Sequence, residues 1–172
     1  MSASLNIAPA NGGERKCHVC LPTAPPVIKG KSIFLAGSID MGMAVNWQTA
    51  ITSKLAHLPV TILNPRRDDW TWDWVQDISN TVFRDQVEWE LDCQDRADVI
   101  AMYFDKNGKA PISLLELGLY AASGKMVVCC PEGFWRRGNV QIVCKKYGIK
   151  LVDTIDDLVE CVVGKLGQVS EK

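Results

Sequence analysis

From about Ser32 onward, short apolar runs alternate with longer amphipathic stretches. The runs are typical of buried strands, and the stretches repeat apolar residues three or four positions apart, as helices do. The pattern predicts five strands, at residues 32–37, 60–63, 98–104, 126–130 and 149–152. It predicts five helices, at about residues 43–57, 80–96, 113–123, 139–147 and 154–166.

Strands that alternate with helices predict right-handed crossovers and a parallel sheet covered on both faces. We therefore expect an α/β fold: a single-domain, three-layer sandwich with a five-stranded parallel sheet, flavodoxin-like or Rossmann-like. In such sheets ligands bind beyond the carboxyl ends of the strands, at the point where the strand order reverses. The loops after the first four strands are thus the expected location of function.

The first thirty residues show neither period and are rich in Pro, Gly, Ala and Ser. We predict a flexible N-terminal arm over residues 1–30 and one folded domain over residues 31–168. Cys17 and Cys20 in this arm have the spacing of half a zinc site, but no second ligand pair at matching spacing follows them. No metal is predicted.

Composition and charge exclude several partners. The chain has 19 basic and 20 acidic residues and a net charge of -1, so it lacks the basic field that a polynucleotide partner requires. No apolar stretch approaches the roughly 20 residues that cross a bilayer. Seven scattered cysteines, an odd number, are typical of a reducing compartment, and we predict a cytoplasmic protein.

Two of the expected ligand loops contain unusual residues. Gly37, Ser38 and Ile39 follow the first strand, where backbone N–H groups can approach a ligand closely or simply serve the turn. Residues 64–74 combine three tryptophans, two arginines and three aspartates. Asp68, Asp69 and Trp70 in this segment suit a lid over a heteroaromatic ligand; the alternative is that the tryptophans cover a sheet edge or a subunit contact.

Two glutamates are candidates for chemistry. Ser113 and Glu116 form an S-x-x-E pattern, which is either a helix capping box or the setting of a carboxylate nucleophile or base. Glu90 shares a predicted helical stripe with Val87, Leu91 and Gln94, and is expected to point inward unless the helix is simply acidic on its surface. A pair of carboxylates on neighbouring elements suits glycosidic chemistry.

Several short segments, taken together and in order, resemble the nucleoside 2-deoxyribosyltransferase superfamily, over about residues 31–153. The likeness is closest to its small fungal and bacterial branch. The segments are IFLAGSI at 33–39, NPR at 64–66, WE at 89–90, AD at 97–98, LELG at 115–118, SGK at 123–125 and GNV at 138–140.

This resemblance implies an enzyme that acts on a nucleoside or nucleotide without a cofactor or metal. It implies that Glu116 attacks the anomeric carbon and forms a covalent glycosyl intermediate, and that Glu90 holds the sugar hydroxyls. Gly37 and Ser38 match the loop that wraps the sugar or its 5' group. Asn139 matches a residue that often reaches the site from a neighbouring subunit, which implies a homo-oligomer with Asn139 near an interface.

The chain departs from the superfamily at two positions. Phe34 stands where the transferases carry a tyrosine that hydrogen-bonds the nucleophile, and Ala110 stands where they carry a base-protonating aspartate. The acid is therefore open, with Asp105 or the pair Asp68 and Asp69 as candidates. Transfer to a second base and hydrolysis by water both remain open, and a binding or regulatory module that has lost turnover is the alternative function.

The sequence also contains four arginines that are candidates for phosphate recognition. These arginines lie in two of the loops and either recognise a substrate phosphate or are ordinary surface charge. They are Arg66, Arg67, Arg136 and Arg137.

Overall fold

A computed structural model describes residues 16–39, 46–67 and 75–169. The strands in these ranges are β1 His18–Cys20, β2 Ser32–Gly37, β3 Thr61–Leu63, β4 Val99–Tyr103, β5 Met126–Cys129 and β6 Lys150–Val152. The α-helices are α1 Trp47–Lys54, α2 Thr81–Arg96, α3 Pro111–Tyr120, α4 Arg137–Tyr147 and α5 Ile155–Gln168. No helix in the described part of the chain is both long and apolar enough to cross a membrane.

The strands form one parallel sheet in the order β1-β3-β2-β4-β5-β6. Successive residues of the central strands enter two separate clusters of buried side chains, one on each face of the sheet. Helices α1 and α5 contribute to one cluster, and α2, α3 and α4 contribute to the other. Helices thus cover both faces of the sheet, and the predicted three-layer α/β class is confirmed. The central strands are apolar on both sides because both of their faces are buried.

The predicted number of five strands is wrong, because β1 adds a sixth strand at one edge. Val19 of β1 pairs with Ile62 of β3, and the backbone of β1 is ordered by this parallel ladder. The strand lies inside the segment predicted as a flexible arm, so residues 18–20 belong to the sheet, while residues 1–15 lie outside the described ranges. The short run His18–Cys20 is not continuously apolar and lies in a segment rich in Pro, Gly, Ala and Ser, which is why the sequence did not reveal the strand.

The two cysteines around β1 belong to opposite faces of the sheet. Cys17 packs into the cluster beneath α1 and α5, and Cys20 packs into the cluster beneath α2, α3 and α4. The Cys20 thiol also donates to the carbonyl of Val27 at 3.4 Å. Two thiols on opposite faces cannot share one tetrahedral ion, so their spacing reflects core packing.

The order of the strands reverses beside β2. The chain runs from β2 outward to β3 and then returns to β4 on the other side of β2. The carboxyl ends of β2 and β4 therefore form the switch point at which α/β folds bind ligands. Gly37 ends β2 and pairs with Tyr103, which ends β4.

Candidate active site

The switch point is built on a very close contact between two strands. Gly37 has a φ of 141°, and a Cβ atom at this position would lie 2.2 Å from the carbonyl oxygen of Tyr103. Only glycine permits this contact. The backbone N–H of Ser38 then donates to the same carbonyl oxygen at 2.9 Å.

Ser38 connects the two loops that follow β2 and β4. Its Oγ accepts a hydrogen bond from the backbone N–H of Asp105 at 2.9 Å, and its carbonyl accepts one from the Trp47 indole at 2.8 Å. Asp105 is buried, and its Oδ1 accepts from the N–H of Asn107 at 2.9 Å. Ile39 follows directly and is half-buried. The structure thus brings four sequence-predicted residues to one place.

Helix α2 carries the next predicted residue, Glu90. Asn80 caps this helix, because its side chain accepts from the N–H groups of Val82 and Phe83. Of the three stripe neighbours predicted for Glu90, Gln94 is buried, Val87 is half-buried and Leu91 is exposed. The inward side of α2 therefore carries a polar row of residues four positions apart, Gln86, Glu90 and Gln94, beside the apolar Trp89 and Cys93.

Helix α3 carries Glu116. The helix begins at Pro111, after Ala110 in a left-handed conformation with no side-chain cap. Ser113 is consequently inside the helix and Glu116 lies in its second turn, so the capping-box interpretation is wrong. Glu116 Oε1 instead accepts a hydrogen bond from Gln94 Nε2 of α2 at 2.8 Å.

Glu90 is held by a second glutamine. Gln86 Nε2 donates to Glu90 Oε1 at 2.7 Å and to the carbonyl oxygen of Pro65 at 3.1 Å. This amide joins α2 to the loop after β3, which continues toward the tryptophan segment. Asp68, Asp69 and Trp70 themselves lie outside the described residues.

The charge of Glu90 acts on Glu116. Burial raises the pKa of Glu90 to about 7, against the hydrogen bond from Gln86. Burial and the nearby charge of Glu90 raise the pKa of Glu116 to about 8, against the hydrogen bond from Gln94. Both side chains nevertheless keep part of their surface exposed. This combination is typical of functional carboxylates, which are reached by ligand yet poorly solvated.

Gln86 and Gln94 were not predicted from the sequence as site residues. Both are buried, and in the described part of the chain the Oε1 atom of each has no hydrogen-bond partner. The available signal was their spacing of four residues on either side of Glu90. That spacing places all three side chains on one helical face.

The remaining predicted residues lie elsewhere on the same side of the molecule. Asn139 is exposed in the first turn of α4. Arg66 donates to Gln48 Oε1 at 3.4 Å. Arg136 lies 4.2 Å from the centre of the Trp135 ring, and Arg137 donates to the Cys130 carbonyl and to Asp153. Arg66, Arg136 and Arg137 thus all contact protein groups.

A groove of about 1130 Å³ lies at the opposite, amino end of the strands and contains none of the predicted site residues. Its lysines are engaged with backbone: Lys31 Nζ donates to the Leu166 carbonyl and Lys125 Nζ to the Asp95 carbonyl. Among the described residues, no group of three or more His, Cys, Asp or Glu side chains could hold a metal ion.

The family model of nucleoside 2-deoxyribosyltransferase-like proteins matches residues 30–134 of the chain. This range is more than half of the sequence, and the protein belongs to that family. The match includes the loop at Gly37, both glutamates and Asp105, and it ends before Asn139. Membership indicates a glycosyl-transferring type of enzyme and a nucleoside substrate. No curated protein matches the chain.

Proposed function

We propose that this protein cleaves the N-glycosidic bond of a nucleoside, deoxynucleoside or nucleotide through a covalent glycosyl intermediate on Glu116. One observation carries the proposal: Glu90 and Glu116, on successive helices of one layer, lie close enough to interact electrostatically. Two carboxylates arranged in this way suit retaining glycosyl transfer, in which one carboxylate is the nucleophile and the other supports the sugar.

In the first step, an oxygen of ionised Glu116 forms a bond to the anomeric carbon. The bond between that carbon and the base nitrogen breaks, and the base leaves with the electron pair and takes up a proton. Among the described residues, Gln94 is the one hydrogen-bond donor to the Glu116 side chain, and it contacts Oε1. Oε2 is therefore the oxygen we assign to the attack.

In the second step, an acceptor opens the ester. A nitrogen of a second base or the oxygen of water bonds to the anomeric carbon and loses a proton, and Glu116 leaves as a carboxylate. Two displacements at one carbon give overall retention. Glu90 holds the sugar hydroxyls throughout, using the oxygen that Gln86 does not contact.

The proton for the departing base comes, in this proposal, from Asp105 or from the pair Asp68 and Asp69. Asp105 is supported by its location, since it lies two residues after the end of β4 and its backbone is fixed to Ser38 at the switch point. General acid assistance of this kind is worth about 10²–10⁴-fold in rate. Trp70 and its neighbours close over the base, and Gly37, Ser38 and Ile39 surround the sugar or its 5' group.

The proposed enzyme is a homo-oligomer with Asn139 near a subunit interface. An apolar stripe on the outer side of α3 supports this part of the proposal. It consists of Ile112, Leu115 and Leu119, which are 59%, 67% and 60% exposed. Burial of such a stripe against a second copy removes its apolar surface from water.

We propose a cytoplasmic location. Among the described residues no cysteine pair forms a disulfide, and six of the seven cysteines are buried. Burial also raises the pKa of the Cys93, Cys129 and Cys130 thiols, which keeps these groups unreactive. Free, protonated thiols are typical of proteins in reducing compartments.

The test is chromatographic. The full chain is incubated with ribonucleosides, deoxyribonucleosides and their monophosphates, with and without a second free base. Base release by the wild type, lost in Glu116→Gln and retained in Glu88→Gln, supports the proposal. Glu88 is a suitable control because it is an exposed glutamate on the same helix as Glu90. A new nucleoside formed only with the second base identifies transfer.

A nucleoside-binding module without turnover is the second candidate function, and two positions favour it. Phe34 is buried in the core and offers no hydroxyl, and Ala110 offers no acid. A module of this kind binds nucleosides in a thermal-shift measurement, yet the wild type releases no base from any substrate. That result would overturn the catalytic proposal.

A further inference from the structure

Gln94 has a contact that its position in the core does not require. The side chain is fully buried, with 0% of its surface exposed, and its Nε2 donates to Glu116 Oε1 at 2.8 Å across the interface of α2 and α3. Nearby positions of α2 that face the same core are apolar, as at Trp89 and Cys93.

The burial of this amide is thermodynamically unfavourable. In the described part of the chain the Oε1 atom of Gln94 has no hydrogen-bond partner, and a buried polar atom without one costs free energy. An apolar side chain of similar size would fill the position without that cost. Packing therefore does not explain the glutamine, whereas the bond to Glu116 does.

We propose that Gln94 is the positioning residue of Glu116: it fixes one carboxylate oxygen and leaves the other directed to the substrate. This inference rests on the proposed function, since it assumes that Glu116 is the nucleophile. A glutamine suits the task because its amide stays neutral at every working pH. It donates one hydrogen bond to the anion without adding a charge or a competing acid.

The arrangement also provides a hydrogen bond that Phe34 cannot. Phe34 lies in the same buried cluster as Leu117 of α3, and its ring carries no donor. Gln94 comes from the adjacent helix instead, and the bond spans 22 residues of sequence. Hydrogen bonds to an ionised partner are the stronger kind, and this one favours the charged, nucleophilic form of Glu116.

The kinetic test compares Gln94→Met and Gln94→Asn with the wild type, using a nucleoside that the wild type cleaves. Methionine keeps the length and removes the donor, and asparagine keeps the amide but is one methylene shorter. We expect kcat to fall about 10- to 100-fold while KM changes by less than about 3-fold. The acidic limb of the kcat/KM profile should move to higher pH, because the lost bond no longer favours ionised Glu116.

The matched control is Cys93→Ala, which alters the next buried side chain of α2 and leaves the Gln94 amide in place. It should lose stability yet keep the wild-type pH profile. Wild-type kcat and an unmoved pH profile in folded Gln94→Met would overturn the proposal. A moved profile in Cys93→Ala would also contradict it, because general loosening of α2 would then explain the effect.

A second measurement needs neither activity nor a Gln94 variant. In ¹⁵N-labelled full-length protein, the side-chain NH₂ resonances of Gln94 should shift as Glu116 titrates, with a midpoint near pH 8. The shift should disappear in Glu116→Gln. Absence of any shift in the wild type would overturn the inference. Failure of the proposed function looks different, because the wild type then releases no base while the Gln94 resonances still respond to Glu116.

Discussion

Glu90 on α2 and Glu116 on α3 are half-buried together, and the charge of Glu90 adds to burial in raising the pKa of Glu116. Each carboxylate is held by a glutamine of α2, four residues from Glu90 in both directions. The pair is therefore preorganised by one helix. Its protonation links the stability of the fold to the proposed chemistry, so both are expected to depend on pH.

Stability should fall as pH rises. The pKa values of Glu90 and Glu116 are raised to about 7 and 8, above the value near 4.5 of an unfolded chain. A raised pKa contributes stability that is complete below the unfolded value and is lost as pH rises through the folded value. We expect Glu116→Gln to raise the free energy of unfolding at pH 9 by a few kcal/mol and to change it little at pH 4.5.

Urea unfolding across pH 4.5–9 measures this effect. Glu88→Gln is the control, because this exposed residue shares α2 but contacts neither carboxylate. It should follow the wild-type curve. A wild-type curve that does not fall between pH 5 and 9 relative to Glu116→Gln would contradict the raised pKa values.

Base release should instead increase with pH. The nucleophile must be ionised, so kcat/KM is expected to rise through the titration of the pair, up to about pH 8. Glu90→Gln removes the like charge and should move this rise to lower pH. It should also raise KM, since Glu90 is proposed to hold the sugar hydroxyls. A wild-type profile that is flat from pH 5 to 9 would remove Glu116 from the role of nucleophile.

Gly37 should tolerate no side chain. A Cβ atom there would lie 2.2 Å from the Tyr103 carbonyl oxygen, and the φ of 141° is unfavourable for alanine. We expect Gly37→Ala to destabilise the fold by about 2–5 kcal/mol. Thermal unfolding checks this, with Gly164→Ala in α5 as the matched control. Nothing lies within 4 Å of a Cβ at Gly164, so that variant should gain about 0.5–1 kcal/mol.

Most of the fold could be predicted because the central strands are apolar on both faces. The prediction for residues 32–37 coincides with β2, and those for the other four strands differ from the structure by one or two residues at their ends. Strand β1 was missed because its sequence, His-Val-Cys, is not an apolar run and it is stabilised by its partner β3, a contact that no local pattern reveals. Tertiary pairing decided the structure of this segment.

The site was only partly predictable for a similar reason. The S-x-x-E pattern at Ser113 suits a capping box, but Pro111 begins the helix two residues earlier, so the local signal pointed to the wrong role for Glu116. The inward direction of Glu90 followed from helical spacing. The bond between Gln94 and Glu116 did not, because it joins two helices that are separated by β4 in the sequence and depends on how α2 and α3 pack.

The last prediction concerns the apolar stripe of Ile112, Leu115 and Leu119. These residues lie at positions i, i+3 and i+7 of α3, so they form one face, on the helix that also carries Glu116. If a second copy covers this face, light scattering should give a mass of at least twice 19.0 kDa. The double variant Leu115→Glu, Leu119→Glu should shift the protein toward the monomer, because burial of two carboxylates in an apolar contact is costly.

Ile78→Glu is the control for this experiment. Ile78 is also a large exposed apolar residue, but it precedes α2 and lies outside the stripe, so the variant should keep the wild-type mass. Base release measured on the same samples tests whether the oligomer matters for the site. If Asn139 acts across the interface, the double variant should lose activity together with mass. A wild-type protein that stays monomeric at high concentration would contradict the proposed assembly, and Asn139 would then have to act within its own chain.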